Sequence, residues 1–453
     1  MKKKIGIILV SILLVFSMLF SLSGCGEIST PSTTGTSEVG NSSKNDPPKT
    51  EDPPKVNDKD EITAINLMAG IESTLIGEGK ELDEEFIHNQ MNLALKLFKA
   101  TSNEKNGENV LVSPLSIQLA LAMNANGANG ITKAEMEALL GGDSSLEELN
   151  EYLQSYVSAL PSEEKSKLEI ANSIWFRNSG FVPNPEFLQT NKNYYDADVY
   201  SAPFDKTTVN DINNWVNEKT DGMIKKAVEE IPPPTIMYLI NAVMFDAEWQ
   251  SKYDEHSIYD GKFNSVSGAV EDVEMMSSNE YIYIELDNAM GFKKNYAGAK
   301  YSFVALLPNE GVDINNFVGS LESETLAAAL QSQRYENIIA KTPKFSYEFE
   351  IKLNDALAML GMESAFDSGK ADFSGLGSAD DDIFISSVVH KTYISVNEAG
   401  TRAGAITVIE NDGGSAMPED IIYITLDRPF LYMIVDNATN LPIFIGTLTS
   451  VQN

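Results

Sequence analysis

Two strand-like runs, DIFISSVVHKTYIS at 382–395 and IIYITLDRPFLYMIV at 421–435, are joined by VNEAGTRAGAITVIENDGGSAMPED, residues 396–420. A two-residue turn is enough to join neighbouring strands. Connections as long as this one are uncommon inside compact domains and are usually either disordered or functional. The rest of the chain has to decide between those two readings, because the fold must accommodate strands whose link is far too long for a hairpin.

The start, MKKKIGIILVSILLVFSMLFSLSGCG, has three lysines, an apolar run and then small residues ending at Cys25. That is the pattern of a secretory signal, which is excluded from fold reasoning. Leu22-Ser23-Gly24-Cys25 resembles the lipobox of bacterial lipoproteins, so residues 1–25 are expected to be a lipoprotein signal peptide. Cys25 would then carry the lipid, and the chain would sit at the outer face of the bacterial cell membrane. Cys25 is the only cysteine, which excludes an intrachain disulfide and a cysteine-based metal site. Residues 26–81, rich in Ser, Thr, Gly, Pro, Asp and Lys, have too few large apolar side chains to repay ordering and read as a disordered polar tether.

From residue 82 to 453 no further linker interrupts the sequence, so the remaining stretch of about 370 residues reads as one large domain. Acidic residues outnumber basic ones by 66 to 33, for a formal charge of -33. With no basic stripe to offset it, that charge disfavours nucleic acid as a partner. EFIHNQMNLALKLFKATS places Phe86, Met91, Leu93, Leu97 and Phe98 near helical spacing. A second helix is expected to start at Ser113-Pro114, and DINNWVNEKTDG reads as a third that ends at Gly222. After residue 260 strand-like runs dominate: YIYIEL, YSFVALLP and IIAKTPKFSYEFEI, then a helix LNDALAMLG, then the runs that flank the long connection. Helices first and strands later, without strict alternation, indicate an α+β fold with mainly antiparallel sheets.

Three histidines and many serines make a Ser-His-Asp hydrolase worth weighing, but the G-x-S-x-G strand-turn-helix signature is absent. His390 lies in an apolar run beside Val388 and Val389, where a hydrogen-bonded core histidine is the favoured reading. His88, on the first helix, and His256, in a polar loop, lack metal-ligand spacing, and the acidic run DSGKADFSGLGSADDD lacks that of an EF-hand. No cofactor or metal is expected. The long connection remains the best candidate for function.

From about Glu81 onward the chain resembles the serpins. NVLVSPLSIQLALAMNANGANGITKAEM, ANSIWFRNSGFVPNPEFLQTNKNYYDADVYSAPF, INNWVNEKTDGMI, NAVMFDAEWQSKYD, VVHKTYISVNEAGTRAGA and RPFLYMIVDNATNLPIFIGTL are similar to serpin segments and come in serpin order. The resemblance implies three β-sheets, eight or nine helices and an exposed reactive-centre loop at 396–420. It implies that Ser113, Ser116, Asn241 and His390 form a polar cluster beneath the opening of the large sheet. Trp249 would stand where the loop first enters.

It further implies that the protein is no enzyme but a monomeric suicide-substrate inhibitor of a serine protease; the alternative is a non-inhibitory serpin that serves as a surface binding protein. The hinge would comprise Glu398, Gly400, Thr401, Ala403 and Ala405. An inserted strand buries every second side chain, and counting from Thr401 the buried set is Thr401, Ala403, Ala405, Thr407 and Ile409. Arg402 departs from the acidic residue usual in the family and falls on the other face. Family spacing from Gly400 places the reactive bond at Gly414-Ser415, with Ala416-Met417 as second choice. The loop has no basic residue between Arg402 and Arg428, so a subtilisin-like or elastase-like target is expected rather than a trypsin-like one.

Overall fold

The computed structural model describes residues 63–75, 79–233, 235–332, 334–380, 382–401 and 421–452. In chain order come β1 (Ile65–Asn66), α1 (Glu84–Glu104), β2 (Val110–Val112), α2 (Pro114–Ala125), α3 (Gly130–Leu140) and α4 (Leu146–Ala159). Next are β3 (Ser166–Arg177), β4 (Val182–Pro183), α5 (Pro185–Tyr195), β5 (Asp198–Ala202) and α6 (Lys206–Lys219). Then strands take over: β6 (Met237–Glu248), β7 (Ile258–Asn264), β8 (Val270–Leu286), β9 (Ala289–Asn295) and β10 (Tyr301–Pro308). After α7 (Ile314–Ser320) and α8 (Ser323–Gln331) come β11 (Arg334–Pro343), β12 (Phe345–Lys352), α9 (Asn354–Met359) and β13 (Gly377–Ser378). β14 (Ser387–Val396), β15 (Gly400–Thr401), β16 (Ile421–Thr425), β17 (Phe430–Asp436) and β18 (Pro442–Leu448) complete the series.

Among the described residues the strands form three sheets. The seven-stranded one runs β1-β5-β3-β6-β15-β14-β12; the nine-stranded one runs β16-β11-β8-β9-β10-β17-β18-β2, with β7 on β8; β4 and β13 pair alone. Most ladders are antiparallel. The parallel exceptions are β3–β5, β6–β14 and β11–β16.

Every residue of α2 is buried, the polar Ser116, Gln118 and Asn124 along with apolar residues on all sides of the helix. It touches β3 and β6 of the first sheet and β18 of the second, so it lies between the two. The other face of the first sheet is covered by α6, whose Ile212, Trp215 and Val216 pack with Trp175, Tyr238, Ile240 and Ala242.

One boundary needs correction. Residues 63–75 were expected within the tether, but they dock on the domain. Ile65 and Asn66 pair with Ser201 and Tyr200 on the edge strand β5, and Met68 is buried in the main core. The backbone N–H groups of Thr63 and Ala64 donate to the Asp211 carboxylate on α6, at 3.0 and 2.8 Å. The segment is held mainly through backbone groups of an open sheet edge, which composition does not reveal.

Candidate functional site

The long connection leaves β14 through a tight turn. The Asn397 side-chain oxygen accepts hydrogen bonds from the Ala399 and Gly400 N–H groups at 2.9 and 3.2 Å, and the Asn397 N–H donates to the Gly400 carbonyl at 3.0 Å. Such local side-chain bonds are what Asn supplies in turns. The chain then reverses into β15, where Gly400 and Thr401 pair with Glu248 and Ala247 of β6 and Thr401 also pairs with Val396 of β14. A Cβ on Gly400 would lie 2.0 Å from the Ala247 carbonyl oxygen, so this close approach requires glycine. The stretch 396–420 is therefore not exposed from its start: Val396, Gly400 and Thr401 are buried strand. Ala403, Ala405, Gly414, Ser415, Ala416 and Met417 lie outside the described residues, as does Cys25.

Thr401 points inward and shares a hydrogen bond with the Tyr296 hydroxyl. Burial pushes the Tyr296 phenol well above its usual pKa, so it is neutral and able to donate. Trp249 stacks on Tyr296 at 4.5 Å and 10°. Its indole N–H donates to the Asn397 carbonyl at 2.8 Å and its backbone N–H to the Ala399 carbonyl at 2.9 Å. The Tyr253 N–H donates to the Glu398 carbonyl at 3.1 Å, and the Glu398 carboxylate pairs with Lys344 at 3.0 Å. Partial burial works against the Glu398 charge, but hydrogen bonding at its own backbone and the Lys344 ammonium outweigh it and hold the carboxyl below its ordinary range. The connected side chains of Trp249, Tyr296 and Thr401, with the Glu398–Lys344 pair beside them, thus clasp the turn from which the loop departs.

A second cluster lies lower in the same sheet. His390 on β14 and Asn241 on β6 are direct partners in the parallel ladder. The Ser113 backbone N–H donates to His390 Nε2 at 3.1 Å, which leaves the proton on Nδ1, 3.0 Å from Asn241 Oδ1. The Asn241 amide donates in turn to the Ser116 carbonyl at 2.7 Å, and also reaches the Ser116 hydroxyl and Asn172. Burial alone drives the imidazole pKa down to about 3, so the ring is neutral. The Ser113 hydroxyl is buried without a hydrogen-bond partner; that residue takes part through its backbone.

Ser113, Ser116, Asn241 and His390 thus come together in one network, while Trp249, Glu398, Gly400 and Thr401 meet in another. Tyr296, Asn397, Lys344 and Asn172 also belong to these networks, beyond the residues that the sequence singles out. Asn397 carried a signal, an Asn at the end of a strand with glycine three residues on; Tyr296 carried none. The hydrolase alternative built on His390 is overturned by this geometry. Both ring nitrogens are engaged, neither by a serine hydroxyl, and the residue is fully buried. His88 stands apart on the surface, 3.6 Å from Glu324.

Residues 88–451 match the profile of the family described as Serpin (serine protease inhibitor). The chain belongs to the serpin family. An uncharacterized serpin-like protein of Thermococcus kodakarensis is 31% identical over 381 residues, which cover 83% of this chain and 88% of that protein. Leukocyte elastase inhibitor A of Mus musculus is 31% identical over 378 residues, 79% of this chain and 97% of the inhibitor. The crystal structure of the thermophilic serpin tengpin in its native state superposes with a TM-score of 0.83 at 48% identity, covering 86% of this chain and all of that one. The serpin architecture, α+β with three sheets, is the one described above. Serpins are typically protease inhibitors rather than catalysts, and this chain is one of them by sequence and by fold.

Proposed function

We propose that the protein is a suicide-substrate inhibitor of a serine protease outside the cytoplasmic membrane, held to that membrane through a lipid on Cys25. The observation that carries this reading is the placement of Gly400–Thr401. These two residues form the first rung of a strand between β6 and β14, whereas lower down Tyr238–Ala242 and Ser387–Lys391 pair directly with each other. The sheet is open where the loop starts and closed below.

Continuing the register from Thr401↔Ala247 and Thr401↔Val396, positions 402–405 would fall between 243–246 and 392–395. No β6–β14 ladder is described across that span. Position 406 would be the first to displace an existing pair, Ala242↔Lys391. A loop cleaved by a protease could therefore begin to insert without breaking any ladder, and would then have to unzip β6 from β14.

Full insertion adds about ten backbone hydrogen bonds at about 1 kcal/mol each, on the order of 10 kcal/mol. That exceeds much of the stability of an ordinary acylated protease domain. If insertion outruns deacylation, the enzyme is carried along and trapped. The hinge supports this, since Thr401, Ala403 and Ala405 are small or uncharged on the side that turns inward. The target class read from the loop is an enzyme that accepts small or modest apolar residues, such as subtilisin-like or elastase-like proteases; the similarity to leukocyte elastase inhibitors points the same way.

The test is incubation with a small panel of such proteases, followed by denaturing gels and sequencing of the released C-terminal fragment. Covalent complexes and a fragment that begins at Ser415 or Met417 are expected. Cleavage without complexes would favour a non-inhibitory serpin. Lipid labelling that survives Cys25→Ala would remove the anchor from the proposal.

A further inference from the structure

Among the described residues, three buried side-chain atoms with no hydrogen-bond partner within the protein belong to residues that line one small cavity. They are Gln90 Nε2 on α1, Gln118 Oε1 on α2 and the Tyr156 hydroxyl on α4. The three residues are 7%, 0% and 3% exposed, so bulk solvent does not supply the missing bonds. A buried polar group is costly to leave unpaired, and three on one cavity call for a shared partner.

The roles of the three groups follow from their other contacts. Gln118 Nε2 donates to the Leu140 carbonyl at the end of α3, at 2.8 Å, so the amide oxygen is the end left for the cavity. Gln90 brings N–H donors and no charge. Burial pushes the Tyr156 phenol far above its usual pKa, so it is neutral. Thr439 weighs against that shift, but its hydroxyl donates to the Asp436 carboxylate, at 2.7 Å, and makes no hydrogen bond to Tyr156. The Tyr156 hydroxyl is therefore able to donate or accept.

Size and polarity say what fits. The rest of the lining, Leu93, Leu115 and Leu441 among it, is apolar. The cavity leaves about 10 Å3 for the centre of a water molecule, and one water needs roughly 10–15 Å3 by that measure together with two to four polar partners. A larger solute has no room. A bare cation would find no carboxylate on the cavity wall.

We propose that Gln90, Gln118 and Tyr156 form a binding site for a single structural water, which accepts from the Gln90 amide, donates to Gln118 Oε1 and shares a third bond with the Tyr156 hydroxyl. Gln118 stands two residues past Ser116, on the opposite side of α2 from the residue that meets Asn241. The water thus ties α2 to α1 and α4 on the side away from the Asn241–His390 pair, and braces the helix whose start, Ser113, holds His390. This role does not depend on the inhibitor reading: a serpin that binds without trapping would hold the same water.

The experiment locates the water and counts it. A crystal structure of wild type should show a water peak within hydrogen-bond distance of Gln90 Nε2, Gln118 Oε1 and the Tyr156 hydroxyl. Magnetic relaxation dispersion of the water oxygen counts the long-lived internal waters in solution. Gln90→Met/Tyr156→Phe keeps the shape of the site and the Gln118–Leu140 bond but removes two of the three partners. This double variant should lose the peak and one long-lived water, with an unchanged circular dichroism spectrum. No wild-type peak in a crystal that orders other buried waters, or a peak that touches only one of the three groups, overturns the proposal. So does a double variant that keeps both the peak and the full count. If the double variant does not fold, the wild-type peak decides by the same criterion.

Discussion

The Thr401 hydroxyl and the Tyr296 phenol share a hydrogen bond inside the protein core, under the Trp249 ring. Thr401 is the last described residue before 402–420, and Tyr296 belongs to the stretch between β9 and β10. Two buried hydroxyls that satisfy each other form a pair in which losing one partner is worse than losing both. Tyr296→Phe alone should lower stability by about 1–3 kcal/mol, because the Thr401 hydroxyl is left buried and unpaired. Adding Thr401→Val to that variant should recover most of the loss. Denaturant midpoints for the four members of this cycle measure it, and additive effects would show that the two hydroxyls are not coupled.

Charge at the next inward position should change the outcome of inhibition. In the register that Thr401 sets, position 403 falls opposite the buried Phe245 and Ile394, so Ala403→Arg would place an unpaired cation in a dry site at the step that starts insertion, a penalty of several kcal/mol. Each 1.4 kcal/mol on the insertion barrier slows it about tenfold, while deacylation by water is untouched. The protease should then cleave the loop at the wild-type rate and leave as free enzyme. Gel assays of trapped complex against cleaved product read this directly, and wild-type stoichiometry from Ala403→Arg would rule it out.

The lower cluster makes the fold acid-sensitive in a predictable sense. His390 is neutral in the fold, with its pKa pushed by burial to about 3 from an ordinary value of 6.5. Above about pH 6.5 neither folded nor unfolded chain protonates it, and its full contribution to stability is present. As pH falls below that value the unfolded chain takes up a proton that the folded one cannot. Stability is therefore lost down toward pH 3, at up to about 1.4 kcal/mol per pH unit. His390→Gln should flatten the fall in thermal midpoint between pH 6 and 4. An identical pH profile in the variant would remove His390 as its source.

How much of this was legible in the sequence depends on whether the signal was local. The spacing of Phe86, Met91, Leu93, Leu97 and Phe98 is the buried stripe of α1, and Ser113-Pro114 does open α2. Strand limits were harder. YIYIEL is only the end of the 17-residue β8, whose earlier half mixes acidic, Met and Ser residues in no clean alternation. IIAKTPKFSYEFEI, read as one run, divides after Pro343, where proline cannot continue a ladder, into β11 and β12. Non-local placement was invisible to periodicity. Nothing in NYAGA announces that Tyr296 meets Thr401, 105 residues away, and only the resemblance to serpins brought Ser113, Asn241 and His390 into one sentence. Residues 63–75 were misread because an edge strand recruits a partner through its backbone and asks little of composition.

The register of insertion can be tested at a single residue. Carried on from Thr401, the inward positions are 403, 405 and 407, and position 407 falls opposite Asn241 and His390, which now pair with each other. Inserting past 406 must separate that pair, and a hydroxyl at 407 can take over one of the hydrogen bonds that is broken. Thr407→Glu would instead press a carboxylate into a buried site lined by a neutral imidazole and an amide, at a cost of several kcal/mol. The strand should then stall after about four residues, with roughly four new backbone hydrogen bonds in place of about ten. Cleaving the wild-type loop with a non-target protease should raise the thermal midpoint by tens of degrees, since the gain on the order of 10 kcal/mol far exceeds that of a typical point substitution. The same cleavage of Thr407→Glu should yield less than half of that rise. Val408→Glu, on the opposite face, would perturb α6 packing but leave Asn241 and His390 free to separate. If Val408→Glu stalls insertion while Thr407→Glu does not, the strand enters one residue out of the register that Thr401 sets.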